Sequence, residues 1–72
     1  MRHFLFVGDQ REVLGVWVVD DEVSATRLQL NLALMYPDCE TVVDNAADFE
    51  SFKAGYADYE FGSLEPDPFS RH

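Results

Sequence analysis

The sequence predicts a small α+β domain: a β-hairpin, one main helix, a third strand and a short second helix, with a three-stranded mixed or antiparallel sheet packed on the main helix. Three observations carry this. Two runs rich in aromatic and β-branched residues stand close together near the N-terminus, split by a short polar stretch that opens on a glycine. A leucine-rich segment follows and ends at a proline. After it come a short β-branched run and a line of aromatics at helical spacing.

His3–Val7 sets Phe4 and Phe6 against His3, Leu5 and Val7, an alternation that fits a strand. Gly8-Asp9-Gln10-Arg11-Glu12 reads as a hairpin loop of about five residues. Val13–Val19 is the strongest strand signal, with Leu14, Val16 and Val18 on one side and Val13, Trp17 and Val19 on the other. A strand apolar on both sides is usually central and covered on both faces. Gly15 within it marks a bulge or a close backbone approach.

Ser24–Tyr36 (SATRLQLNLALMY) carries two competing periods. Leu28, Leu30, Leu32 and Leu34 alternate as in a strand, whereas Ala25, Leu28, Leu32 and Met35 make a helical stripe. Composition decides for helix: no β-branched residue lies between Arg27 and Tyr36, and the straight-chain residues lose little freedom in a helix. Asp20, Asp21 and Glu22 place negative charge at its N-terminus, with Asp21 or Ser24 as the cap, and Pro37 stops it. Ser24, Arg27 and Asn31 form a polar strip beside the core stripe. Beyond it, Val23, Leu30 and Leu34 form a second apolar stripe, either covered by the C-terminal segment or open to a partner or a second copy.

Cys39–Asp44 reads as the third strand, lying either beside Val13–Val19 and parallel to it or on the far side of His3–Val7 and antiparallel. Asp44 or Asn45 would cap a second helix from Ala46, on which Phe49, Phe52, Tyr56 and Tyr59 are spaced as a core stripe. Gly55 weakens that helix by about 1 kcal/mol and sets its end near Ala54. The compact domain then spans residues 1–62, and residues 63–72 form a Pro-containing tail, mobile unless Phe69 docks.

Seventy-two residues bury a small core, about 60% of the unfolded surface. Apolar runs of four or five residues are too short to span a membrane. The apolar start, Phe4–Val7, breaks at Gly8-Asp9 without a cleavage pattern, which argues against a signal peptide. A single cysteine, Cys39, fits a reducing cytoplasm. Charge is the most informative feature. Fourteen acidic against five basic residues give −9. That sign repels phosphate backbones and acidic membranes and attracts basic protein surfaces.

Signatures of chemistry are sparse. The sequence has no glycine-rich phosphate loop, no HExxH and no paired CxxC, and His3 and His72 stand near opposite ends of the chain. These absences point away from an enzyme and from a cofactor. Clustered Asp20, Asp21 and Glu22 at a strand end are of a kind that holds Mg²⁺, but helix capping is the favoured account of them. Val18-Val19-Asp20-Asp21-Glu22 resembles the acidic signature ending the first strand of response-regulator receiver domains, and the likeness extends weakly to about Tyr59. It implies a parallel sheet with a phospho-accepting Asp on a later strand, then a Thr or Ser and a Lys. The chain departs from that pattern. Asp58 follows no β-branched run, Lys53 falls within the second helix, and a strand precedes the signature.

The expected function is therefore that of a non-enzymatic acidic module that binds a basic surface on a larger, nucleic-acid-handling complex. In size and charge it resembles small inhibitors encoded by phages and mobile elements, such as anti-CRISPR proteins or RNA-polymerase inhibitors, which occupy nucleic-acid-binding surfaces. Candidate contacts are Asp9, Glu12, Asp20, Asp21, Glu22, Asp48, Glu50, Asp58, Tyr59 and Glu60, with Tyr59 set between two carboxylates. Two alternatives stand beside it: a homodimer built on Val23, Leu30 and Leu34, and a degenerate receiver-like Mg²⁺ module around Asp20 and Asp21.

Overall fold

Alternation in the first strand decides the architecture, because both of its faces are buried. The structure, a computed structural model, describes residues 1–68. In chain order it forms β1 (Arg2–Asp9), β2 (Glu12–Val19), α1 (Glu22–Met35), β3 (Glu40–Ala46), α2 (Phe49–Ala54) and β4 (Asp67–Pro68). The sheet order is β3-β1-β2-β4. β1 runs antiparallel to β2 and to β3, while β2 and β4 pair in parallel. The fold is thus α+β with a mixed sheet, but it has four strands rather than the expected three, and the second helix packs on the face opposite the main one.

Phe4, Leu5, Phe6 and Val7 are all buried. Phe4 and Phe6 point to one face, where they meet Val13, Val16, Val18, Ala46, Phe52 and Phe61. Leu5 and Val7 point to the other and join Val19, Ala25, Leu28 and Leu32. Both β1 and the Val13–Val19 run are interior strands with both faces covered, as expected of the latter, but β1 is the one paired along its length on both sides, because β3 lies across it from β2. Of the two positions open to the third strand, the antiparallel one is occupied. Strands β2 and β3 are separated by β1, so the parallel sheet implied by the receiver resemblance is not formed.

The hairpin is tighter than expected. Its strands run to Asp9 and from Glu12, leaving only Gln10 and Arg11 as the turn. Gln10 has φ 59°, the positive value that two-residue hairpin turns require. A bulge follows: Val7 pairs Gly15 and Gly8 pairs Val13, so Leu14 has no partner across the ladder. The extra residue inverts the pattern on its N-terminal side. Val13 joins Val16 and Val18, and Leu14, expected beside them, is exposed. Gly15 is the close approach that the sequence suggests, since a Cβ there would lie 2.7 Å from Trp17 Cη2.

Helix α1 begins two residues before Ser24. Asp21 caps it by accepting from Ser24 N at 2.9 Å, and Tyr36 N closes it on Leu32 O at 2.9 Å. Ala25, Leu28 and Leu32 are buried as expected, but Ser24 is buried too and Met35 is 67% exposed, while Tyr36, one residue on, packs against the core instead. Helix α2 is capped by Asp48, which accepts from Ser51 N at 2.8 Å, rather than by Asp44 or Asn45, since β3 continues through Ala46. It ends at Ala54 before Gly55, as the sequence implies. The described part of the C-terminal segment, through Pro68, does not cover Val23, Leu30 and Leu34. It crosses the opposite face of the sheet. Its expected tail begins by returning to the core: Leu64 packs against the aromatic cluster, and Asp67-Pro68 pairs with Trp17 and Val18. Phe69, with the docking expected of it, lies outside the described residues.

Candidate functional site

All fourteen carboxylates fall within the described residues, and every one is exposed. The sheet sorts the sequence-predicted acids into two groups. Asp9 and Glu12 flank the hairpin turn, and the Asp58–Glu60 segment is drawn onto it. Glu60 N donates to Arg11 O at 2.7 Å, and Val13 N donates to Glu60 O at 3.0 Å. Asp20, Asp21 and Glu22 occupy the β2–α1 corner at the other end of the strands, with Asp48 and Glu50 opening α2 beyond the end of β3. An eight-residue strand separates the two ends by about 25 Å. No single surface holds the whole set.

Several of these acids have local partners. Asp20 forms an ion pair with Arg2 at 2.9 Å, and Glu50 one with Lys53 at 3.0 Å. The exposure of both pairs limits each to under about 1 kcal/mol. Asp21 and Asp48 are the helix caps, and the backbone N–H of Ser51 holds the Asp48 carboxyl below the usual carboxylate range. Tyr59 does not present its ring between Asp58 and Glu60. The ring packs edge-on against Phe6 at 4.9 Å, and only the hydroxyl reaches outward.

That hydroxyl identifies two acids absent from the sequence-predicted set. Tyr59 OH donates to Glu40 Oε2 at 2.6 Å, and Tyr56 OH donates to Asp44 Oδ2 at 2.9 Å. Glu40, Val42 and Asp44 share one face of β3, beside the aromatic cluster. The strand period of Cys39–Asp44 already places the three together. The tyrosine partners were hidden, because they come from a turn rather than from a continued α2. Hydrogen bonding to Glu40, helped by burial, raises the Tyr59 pKa. For Tyr56, burial comes first and the bond to Asp44 second. Both phenols stay protonated donors through neutral pH, and they fix two carboxylates on the rim of the sheet.

The opposite side of the molecule carries an exposed apolar stripe. Val23, Leu30 and Leu34 are 57, 62 and 81% exposed on the outward face of α1. Among the described residues no three His, Cys, Asp or Glu side chains could hold a metal ion, the Asp20–Glu22 corner included. Cys39 is a half-buried free thiol packed beside the α1 core. His3 is half-buried, and His72 lies outside the described residues. No helix among the described residues is long and apolar enough to cross a membrane. No protein-family model matches the chain, and neither a curated protein nor a solved structure matches it.

Proposed function

We propose that the chain is a non-enzymatic, acidic protein-binding module that acts in the cytoplasm by occupying a basic surface of a larger, nucleic-acid-handling complex, as an inhibitor or regulator. One observation carries the reading: every acidic side chain of a −9 chain is on the surface, among them carboxylates that pair with Arg2 and Lys53 at exposed positions. A field of that sign speeds encounter with Lys- and Arg-rich surfaces and rejects phosphate. The test is retention of host proteins on the immobilised chain at low and moderate salt. Two charge-neutralised variants run in parallel. One carries Asp9→Asn, Glu12→Gln, Asp58→Asn and Glu60→Gln; the other carries Asp20→Asn, Glu22→Gln and Glu50→Gln. A nucleic-acid-handling complex held at low salt, released as salt rises and lost with one of the two sets supports the proposal. Retention unaffected by salt and by both variants rules it out.

The exposed α1 stripe favours a second reading, a homodimer through Val23, Leu30 and Leu34. A 14-residue helix is about 21 Å long. One stripe along it covers well under the ~800 Å² per partner of a standard interface. Such a dimer would be weak, and the −9 charge of each copy opposes it. A solution mass that stays at 8.2 kDa across the accessible concentration range removes this reading.

A further inference from the structure

We infer that the outer edge of β3 is a strand-addition site for a basic, extended segment of the partner protein. The inference rests on the chain being an acidic binding module and specifies which backbone the partner engages.

The two edges of the sheet are treated differently. The outer edge of β2 is covered at one end by β4 and at the other by the Glu12–Glu60 bridge. Strand β3, seven residues long, stands at the end of the strand order, and among the described residues no strand lies on its outer side. Alternate peptide groups of Glu40–Ala46 therefore face outward, a template for main-chain pairing, with the Asn45 N–H already donating to Asp44 Oδ1 at 2.8 Å.

Charge selects the occupant. Glu40 and Asp44 stand about 13 Å apart along the same face of the strand, with half-buried Val42 between them. A second copy pairing edge to edge would set these acids against their own equivalents, and like charges across a ladder are destabilising. Lysine or arginine at positions i and i+4 of an added strand, with a small apolar residue at i+2, reverses the sign of that interaction. The carboxylates are already held by Tyr59 and Tyr56, so little side-chain freedom is lost on binding. On the other face, an open groove of about 330 Å³ between β3 and α1 is lined by His3, Glu22, Thr26, Gln29, Val43 and Asn45. It receives the polar side chains of the intervening positions.

The probe is an end-blocked peptide, Thr-Lys-Thr-Val-Thr-Lys-Thr, titrated into the full, isotopically labelled chain and followed by amide chemical shifts and hydrogen exchange. A peptide of the same charge, N-methylated at alternate residues in each of the two registers, serves as control. The expected result is shifts and slowed exchange centred on Glu40–Ala46, with N-methylation in one register weakening binding by about tenfold. The Glu40→Gln/Asp44→Asn variant, whose amide oxygens still accept from the tyrosines, weakens it by a similar factor. Glu65→Gln/Asp67→Asn, the same charge loss on the opposite edge, changes it by less than about twofold. Equal binding of all the methylated peptides, shifts spread over the acidic ends of the sheet, or no binding overturns the edge site. So does concentration-dependent self-association that protects β3. The first of these outcomes leaves the acidic-module reading standing, whereas salt-insensitive retention of host proteins beside intact β3 shifts removes that reading and leaves the edge site.

Discussion

The two faces of the sheet are covered by different means. On one, a regular 14-residue helix lays Ala25, Leu28 and Leu32 over Leu5, Val7 and Val19. On the other, a six-residue helix and a run of turns bring Phe49, Phe52, Tyr56, Tyr59 and Phe61 over Phe4 and Phe6. Phe6 alone meets Phe52, Tyr56, Tyr59 and Phe61 with ring centroids 4.9–5.9 Å apart. The aliphatic face gets its order from helical periodicity. The aromatic face gets it from ring area and ring geometry, with little regular backbone. A short helix that would be marginal alone is sufficient when its few side chains are large.

The difference can be broken most sharply at β1, whose neighbouring residues serve opposite faces. Phe6→Ala is expected to cost about 3–5 kcal/mol and Leu5→Ala about 2–5 kcal/mol, measured by denaturant unfolding. Trp17 packs on the α1 side, so its fluorescence reports that face, while near-ultraviolet circular dichroism is weighted toward the aromatic one. Coincident transitions would make the faces one cooperative unit. Early loss of the aromatic signal in Phe6→Ala would separate them. Next in size is Gly15→Ala, which forces the Trp17 ring away from a 2.7 Å contact and is expected to cost about 1–3 kcal/mol with a shift in tryptophan emission.

A smaller, pH-dependent effect belongs to the aromatic face alone. The folded pKa values of Tyr56 and Tyr59 lie above the ordinary phenol value. Their contribution is therefore complete below that ordinary value and is lost as pH rises through the folded ones. Stability should fall in the alkaline range, and the Tyr56→Phe/Tyr59→Phe variant should lack that part of the fall. An identical alkaline profile in the variant would detach the tyrosine–carboxylate pairs from stability. The smallest effect is expected on the outward side of α1. Leu34→Lys, at an 81% exposed position, should change unfolding free energy by no more than about 0.5 kcal/mol.

Local pattern made β1, β2, α1 and β3 legible, because each segment's composition and period agree with its place in the fold. What stayed hidden depends on pairing across the chain. Val13–Val19 reads as central from its own residues and is interior, but nothing in them shows that β1 is the strand paired along its length on both sides, because β3 joins it from about forty residues later. The outward turn of Leu14 follows from a bulge that shows only in the register with Val7 and Gly8. The site was legible in part. The acids are visible as charges, but their sorting to two ends of the sheet is not. The importance of Glu40 and Asp44 emerges only when the turn after Gly55 brings two phenols to them.

Strand β1 also precedes in the chain every element that covers it, and this shapes how the protein is made. The hairpin of β1 and β2 is complete by Val19, with Phe4, Phe6, Val16 and Val18 along one side of it. Phe61, which helps to cover that side, leaves the ribosome more than forty residues later. For that interval the nascent chain presents an uncovered aromatic ribbon, a target for chaperones or for a neighbouring nascent chain. Stop codons placed between β3 and Phe61 would therefore yield products that aggregate rather than smaller folded domains.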